Sequence, residues 1–304
     1  MIRSLHLTDI GALLLFLGKS PINEARTRDR LNSKSGELPS VVPLLRSCLL
    51  SGDKQHSFVY FQRGFIEGVV CLCTCRGPSA WMVELLLLAP GHEGVCADLL
   101  ERLGFTGDKI KAERVFLRLD STSPVADMAK QAGFNHHLTE FLYRLDDVSQ
   151  VGPIQQPLAL RPKCSADDHG LFRLYNAATP LQVRRAEGMT LEEWSQSRDR
   201  DASRELVLES GGEISAWLRF RLGRVAGQFD IVTELGADES ARLVNYSLAA
   251  LKGRRPIYCL VPEFQQQLQR ILEEQGFHQV TSYFCLSKQL AVRVHEPQLV
   301  PLRA

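Results

Sequence analysis

An apolar run ending at Leu88 leads into Gly91-His92-Glu93-Gly94-Val95-Cys96, and apolar residues at helical spacing continue over Gly94–Leu103. Small residues at such a turn let another molecule approach the main chain. The first turn of a helix adds oriented N–H donors and partial positive charge. The chemistry this suits is the holding of an anion; the same residues also make an ordinary strand–turn–helix junction. Glu84 is the lone carboxylate of the apolar run Met82–Leu88. Burial there raises a carboxyl pKa toward the range of a general base. A strand-end residue with its carboxylate in water is the competing account.

Cys71, Cys73 and Cys75 alternate along one predicted strand, so all three are expected on one face. Neighbouring same-face residues make poor tetrahedral ligands, and free cysteine packs as a small hydrophobe. A buried apolar face is therefore expected, and no metal. The eight cysteines show no disulfide-like spacing, which fits a reducing, cytoplasmic compartment. Arg184-Arg185 lies between two predicted helical segments and reads as a solvated helix face. His136-His137 is expected in an exposed loop.

Lys and Arg total 36 against 35 Asp and Glu, so no global field favours nucleic acid or an anionic membrane. No apolar run reaches the roughly 18–20 residues that span a bilayer. Ala12–Leu17 follows Asp9, unlike a secretory signal with a basic leader segment. The length of 304 residues allows two units of ordinary domain size.

These residues need elements to position them, and the elements occur twice. Ile2-Arg3 is followed by Asp9 six residues after the arginine, and Leu160-Arg161 by Asp167 at the same interval. A strand, a helix and Gly-Phe recur at Gly133-Phe134 and Gly276-Phe277, each ahead of a final strand, Leu138–Leu145 and Thr281–Leu286. In the first unit the spacing predicts strands at Ile2–Leu7, Ser57–Phe61, Phe65–Cys75, Met82–Leu88 and Arg114–Leu119. Asn23–Leu50 reads as helical or irregular, and Val125–Ala132 as a helix. In the second, strands are predicted at Leu158–Arg161, Glu205–Glu209, Glu213–Phe220, Phe229–Glu234 and Pro256–Val261. Helices are predicted at Ala166–Asn176, Thr190–Ser197, Ser240–Leu251 and Gln265–Glu274. The boundaries expected are residues 1–147, a Pro- and Gly-bearing linker 148–157, residues 158–292 and a tail 293–304.

This order, with Gly-Phe before the last strand, resembles the GNAT superfamily of acyl-CoA-dependent N-acyltransferases. The resemblance implies an α/β (α+β) fold of two tandem GNAT-like units, each a mixed, mostly antiparallel sheet flanked by helices. It implies acetyl-CoA or a related acyl-CoA as cosubstrate and an amine as acceptor. In that family the strand before the main helix splays from its neighbour to admit the pantetheine arm, and the next turn holds the pyrophosphate. Carried onto this sequence, those roles fall to Leu86, Leu87 and Leu88 and to Gly91, His92, Gly94, Val95, Cys96 and Ala97. Gly94 matches the central glycine of the family's turn; Gly91 and Cys96 depart from it, and Glu93 adds a negative charge. The family's helix tyrosine is replaced by Ala129 here and by Leu272 in the second unit. Thr122 stands where the family often has Asn and could hydrogen-bond the arm. The second unit's turn, Leu235-Gly236-Ala237-Asp238-Glu239, is acidic and is not expected to hold CoA. Glu84 is the candidate base. The alternative implied is a GNAT-like ligand-binding or regulatory module without turnover.

Overall fold

Runs of β-branched and apolar residues bounded by Gly, Pro and Asp set the strands, and amphipathic stretches set the helices. In a computed structural model the described residues are all but 32–54, 76, 78, 111, 148–157, 197, 199–202, 224, 235 and 291–304. The predicted linker and tail, and most of Asn23–Leu50, therefore lie outside the described residues. The N-terminal half runs β1 (Ile2–Ser4), α1 (Ile10–Gly18), β2 (Ile22–Asn23), β3 (Gln55–Gln62), β4 (Phe65–Thr74), β5 (Ala80–Leu88), α2 (Val95–Ile110), β6 (Arg114–Asp120), α3 (Ala126–Gln131) and β7 (Asn135–Leu145). The C-terminal half opens with β8 (Leu160–Pro162), α4 (Asp168–Ala178), α5 (Leu181–Glu187) and α6 (Leu191–Gln196). It continues through β9 (Arg204–Ser210), β10 (Glu213–Leu222), β11 (Gly227–Thr233), α7 (Ala237–Ala250), β12 (Ile257–Pro262), α8 (Gln266–Glu274) and β13 (His278–Gln289).

The two sequence repeats are built from the same contacts. Arg3 grips both oxygens of Asp9 at 2.6 and 2.7 Å, and Arg161 grips Asp167 at 2.8 Å on each side. Each aspartate also accepts from a main-chain amide three residues back, His6 or Cys164. The carboxylate thus ends a strand and starts a helix at once. At the other repeat, Gly133 and Gly276 sit at φ +86° and +85°, a region that favours glycine. Phe134 and Phe277 then donate their amides to Ala129 and Leu272, both at 3.0 Å, and bury their rings.

All strands join in one sheet of order β1-β3-β4-β5-β6-β13-β7-β12-β11-β10-β9-β8, with β2 paired to β5. The pairs β5–β6 and β11–β12 are parallel and the others antiparallel. Neither half closes with its own last strand. Instead β6 takes β13 from the C-terminal half, and β12 takes β7 from the N-terminal half. One sheet face carries α2 and α3 over Leu99, Leu117 and Phe134, and α7 and α8 over Leu243, Cys259 and Phe277. The opposite face carries α1 through Leu13 and Phe16, and α4 and α6 through Leu171 and Trp194.

Local expectations meet the structure at three places. Asn23, expected in helical or irregular chain, instead ends the short strand Ile22–Asn23, whose main chain pairs with β5. Arg184 and Arg185, read as a helix face though placed between helical segments, lie inside a helix, α5, which Gly188 ends at φ +146°. His136 and His137 begin β7 instead of forming a loop, and only His136 is exposed.

Candidate functional site: two strand partings and a charged seam

The parallel strands β5 and β6 pair only over Ala80↔Arg114, Trp81↔Val115 and Met82↔Phe116, and then part. A register shift against β4, between Cys71↔Leu85 and Leu72↔Val83, leaves Glu84 without a counterpart. This is a β-bulge, a device that re-aims side chains and often lies beside active sites. After it, Leu85 and Leu87 face α1 while Leu86 and Leu88 face the α2 core. Glu84 pairs with Arg30 at 3.4 Å.

The chain itself fills this parting. Ile22 and Asn23 pair with Leu88 and Leu87, and Glu24 donates its amide to the Leu86 carbonyl at 2.9 Å. The Leu86 amide donates to the Asn23 side-chain oxygen at 3.1 Å. On the far side, Ala25 bridges Leu119 and Arg26 donates to the Arg118 carbonyl at 2.8 Å. Ser123 donates its hydroxyl to the Glu24 carboxylate at 2.6 Å. Asn23 and Ala25 are buried. Main-chain groups of Leu86, Leu87 and Leu88, along which the arm is expected to dock, pair with the segment Ile22–Arg26.

The turn after β5 is likewise engaged. The amides of His92, Val95 and Cys96 donate to Ala89, His92 and Glu93, and the Gly91 amide donates to the Glu93 carboxylate at 3.3 Å. Gly94 is exposed, with no described atom of the chain within 4 Å of an added Cβ. Cys96 points into the core, where burial, aided by Glu24, pushes its thiol up to about 12. Ala97 is half-buried on the first turn of α2. Thr122 is exposed and spends both its amide and its hydroxyl on Asp120. Of the predicted site residues, the structure gathers Glu84, Leu86, Leu87 and Leu88 at a parting; it leaves Thr122 facing its own turn.

The second parting differs. Strands β11 and β12 pair over Gly227↔Ile257, Gln228↔Tyr258 and Phe229↔Cys259 and then separate. Among the described residues, no strand or bridge joins their parted ends. The chain after α4, which corresponds to the plug of the first half, turns at Pro180 into α5 and packs Val183 on Leu138 and Cys285. Gly236 stands at the N-cap of α7, with Asp238 and Glu239 in the first turn.

Between the halves lies a charged seam that the sequence reading missed. Arg28 donates to Glu140 of β7 at 2.7 Å and to Asp230 of β11 at 3.1 Å, spanning β12. Arg118 adds to Glu140 at 2.8 Å, and Arg221 to Asp230 at 2.8 Å. Arg219 lies 3.5 Å from Asp230. Burial alone would raise the Glu140 carboxyl, but Arg118 and Arg28 outweigh it and hold it at about 2. Asp230 is held low by Arg221, Arg28 and Arg219 against the same burial. Near Glu140, burial pushes the His137 imidazole down. The available signal was charge inside apolar strands: Arg219 and Arg221 among Trp217, Leu218 and Phe220, and Asp230 between Phe229 and Ile231.

Cys71 and Cys75 are buried and Cys73 half-buried, and no cluster of metal-ligating side chains occurs among the described residues. No helix among them is long and apolar enough to cross a membrane.

Solved structures share this architecture along nearly the whole chain. A GCN5-related N-acetyltransferase from Sphaerobacter thermophilus superposes with a TM-score of 0.55 at 14% identity, over 95% of each chain. The chain has a tandem GNAT fold. A tandem GNAT protein from the clavulanic acid biosynthesis pathway matches with a TM-score of 0.55 at 14% identity, covering 95% of this chain and 98% of that one. No protein-family model and no curated protein matches the sequence. Each half of this fold parts at its one parallel strand pair; Ile22–Arg26 fills the first parting, and among the described residues no strand or bridge fills the second.

Proposed function

We propose that this tandem GNAT protein is an acyl-CoA-dependent N-acyltransferase whose thioester arm docks in the C-terminal half, between the parted ends of β11 and β12. The observation that carries this reading is the contrast between the partings: Ile22–Arg26 occupies the first, and no described segment bridges the second. This reading puts the arm in the half opposite to the one expected from the sequence. In the reaction the amine attacks the thioester carbon, the C–N bond forms and the C–S bond breaks. The thiolate leaves, and water takes the ammonium proton. Main-chain N–H groups that face a strand parting are suitable donors to the carbonyl oxygen as charge develops there. A thiolate needs little protonation to depart near neutral pH, so the missing helix tyrosine does not bar turnover.

The test is hydrogen exchange with acetyl-CoA present. Amides of residues 230–233 and 260–261 should gain protection, while those of residues 86–97 should not change. Protection at residues 86–97, or no binding at millimolar acetyl-CoA, overturns the proposal. A second reading, a ligand-binding module without turnover, is favoured by Asp238 and Glu239 at the first turn of α7. These acids already complement the helix dipole and repel a pyrophosphate. Binding of a ligand that lacks a pyrophosphate, with no binding of acetyl-CoA, would decide for it.

A further inference from the structure

Helix α1 is apolar on both sides. Leu13 and Phe16 enter the core, while Ile10, Gly11, Leu14, Leu15 and Gly18 are exposed. Residues three, four and seven apart share a helix face, so these five form one stripe, which Leu7 extends into the preceding turn. Leu7, Leu14 and Leu15 are 69, 46 and 67% exposed. Phe65, also exposed, stands at the end of the stripe with the Lys19 Nζ over its ring at 5.2 Å. The chain itself does not require Gly11 or Gly18: no described atom lies within 4 Å of an added Cβ, and neither takes a positive φ. At Gly170 of α4, by contrast, the added Cβ would meet Ile214 at 3.0 Å. Glycine weakens a helix relative to alanine. Two on the solvent side of α1 leave room for something outside the chain to come close to the helix.

We infer that this stripe is the contact between two copies of the chain, their α1 helices packed antiparallel about a two-fold axis at Leu14 and Leu15. A two-fold contact must be self-complementary, because each residue meets its counterpart twice. The stripe has that symmetry. Antiparallel packing that sets Leu14 against Leu15 also sets Gly11 against Gly18 and Ile10 against Lys19. The leucines of one copy then fall between the glycines of the other, and the aliphatic stem of Lys19 covers Ile10. The two Lys19 residues lie about 14 Å apart along the helix axis, beyond the screening length of roughly 8–10 Å. With Leu7, Phe65 and the Lys19 stem, the stripe offers on the order of 600 Å² per copy, so a pair buries about 1,200 Å², above the roughly 1,000 Å² that a specific interface needs. A lipid surface fits less well. Helices that lie in a membrane interface carry several cations on the polar side, and α1 has only Lys19 at its end, already 3.6 Å from Glu67.

The dimer does not depend on acyl transfer. The experiment is sedimentation of the full chain from about 1 to 100 µM, a range that spans the weak Kd of an interface this small. The wild type should pass from one to two chain masses. Leu15→Glu, at an exposed position, should weaken the dimer at least a hundredfold, and Val225→Glu, at an exposed apolar position of the other half, should leave it unchanged. Gly11→Leu enlarges the apolar stripe but fills the gap that the partner's side chains need, so it should weaken the dimer at least tenfold. It also keeps the test alive if Leu15→Glu misfolds. A wild type that stays monomeric at 100 µM, with or without binding to phosphatidylglycerol vesicles, overturns the inference. So does a dimer that survives Leu15→Glu, or one that Gly11→Leu leaves as tight or tighter.

Discussion

The amide of Glu24 donates to the carbonyl of Leu86 at 2.9 Å, across the gap that opens where β5 leaves β6. In the same step of chain, Asn23 accepts the Leu86 amide through its side chain. Asn23→Ala removes that acceptor and strands a buried N–H, which costs about 1–3 kcal/mol. Urea denaturation should show this loss. A change below about 0.5 kcal/mol, the size of an ordinary surface substitution, would mean the plug is not part of the fold.

Glu140 ties β7 to Arg28 and Arg118, and its replacement leaves those guanidinium groups buried without their carboxylate. Glu140→Gln should destabilise by about 3–5 kcal/mol at neutral pH. The folded pKa of about 2 lies below the ordinary glutamate value. Its contribution is therefore complete above the unfolded pKa of about 4.3 and is lost as pH falls through the folded one. The stability gap between wild type and Glu140→Gln should shrink between roughly pH 4.3 and 2. A gap constant across that window would contradict the pairing.

Exchange of β7 and β13 makes each half depend on a strand from the other. Thermal unfolding should be one cooperative transition by near- and far-ultraviolet circular dichroism alike. Deletion from His278 onward strips β6 and β7 of their shared partner, and should abolish both halves together. Two resolved transitions, or a folded N-terminal half after the deletion, would refute the exchange.

The repeated Gly-Phe devices should respond alike. An added Cβ at Gly133 or Gly276 meets only side-chain atoms, at 3.6 and 3.7 Å or beyond, so the cost is the backbone's. Each of Gly133→Ala and Gly276→Ala should lose roughly 1–2 kcal/mol. A loss at one and none at the other, measured by urea titration, would show that the two halves do not share this capping geometry.

The sequence by itself determined most of the elements and the duplication. Arg3 with Asp9 and Arg161 with Asp167 are local pairs, and Gly133 and Gly276 are local caps, so spacing alone reveals them. The hairpin at Arg63-Gly64, where both residues adopt positive φ, is legible for the same reason. Helix α5 was less legible because a short segment after Pro180 carries little periodicity. Only the tertiary structure decided which partner each strand takes: β7 presents the same alternation to β6 as to β12, and period-two patterning names a face, never a neighbour. The same limit hid the site. Leu86, Leu87 and Leu88 do border a parting, but whether their main-chain groups are open depends on Ile22–Arg26, some sixty residues away in sequence. Arg28, Glu140 and Asp230 meet across more than one hundred residues. Desolvated charges are tolerable only together, and no spacing along a single strand records that they meet.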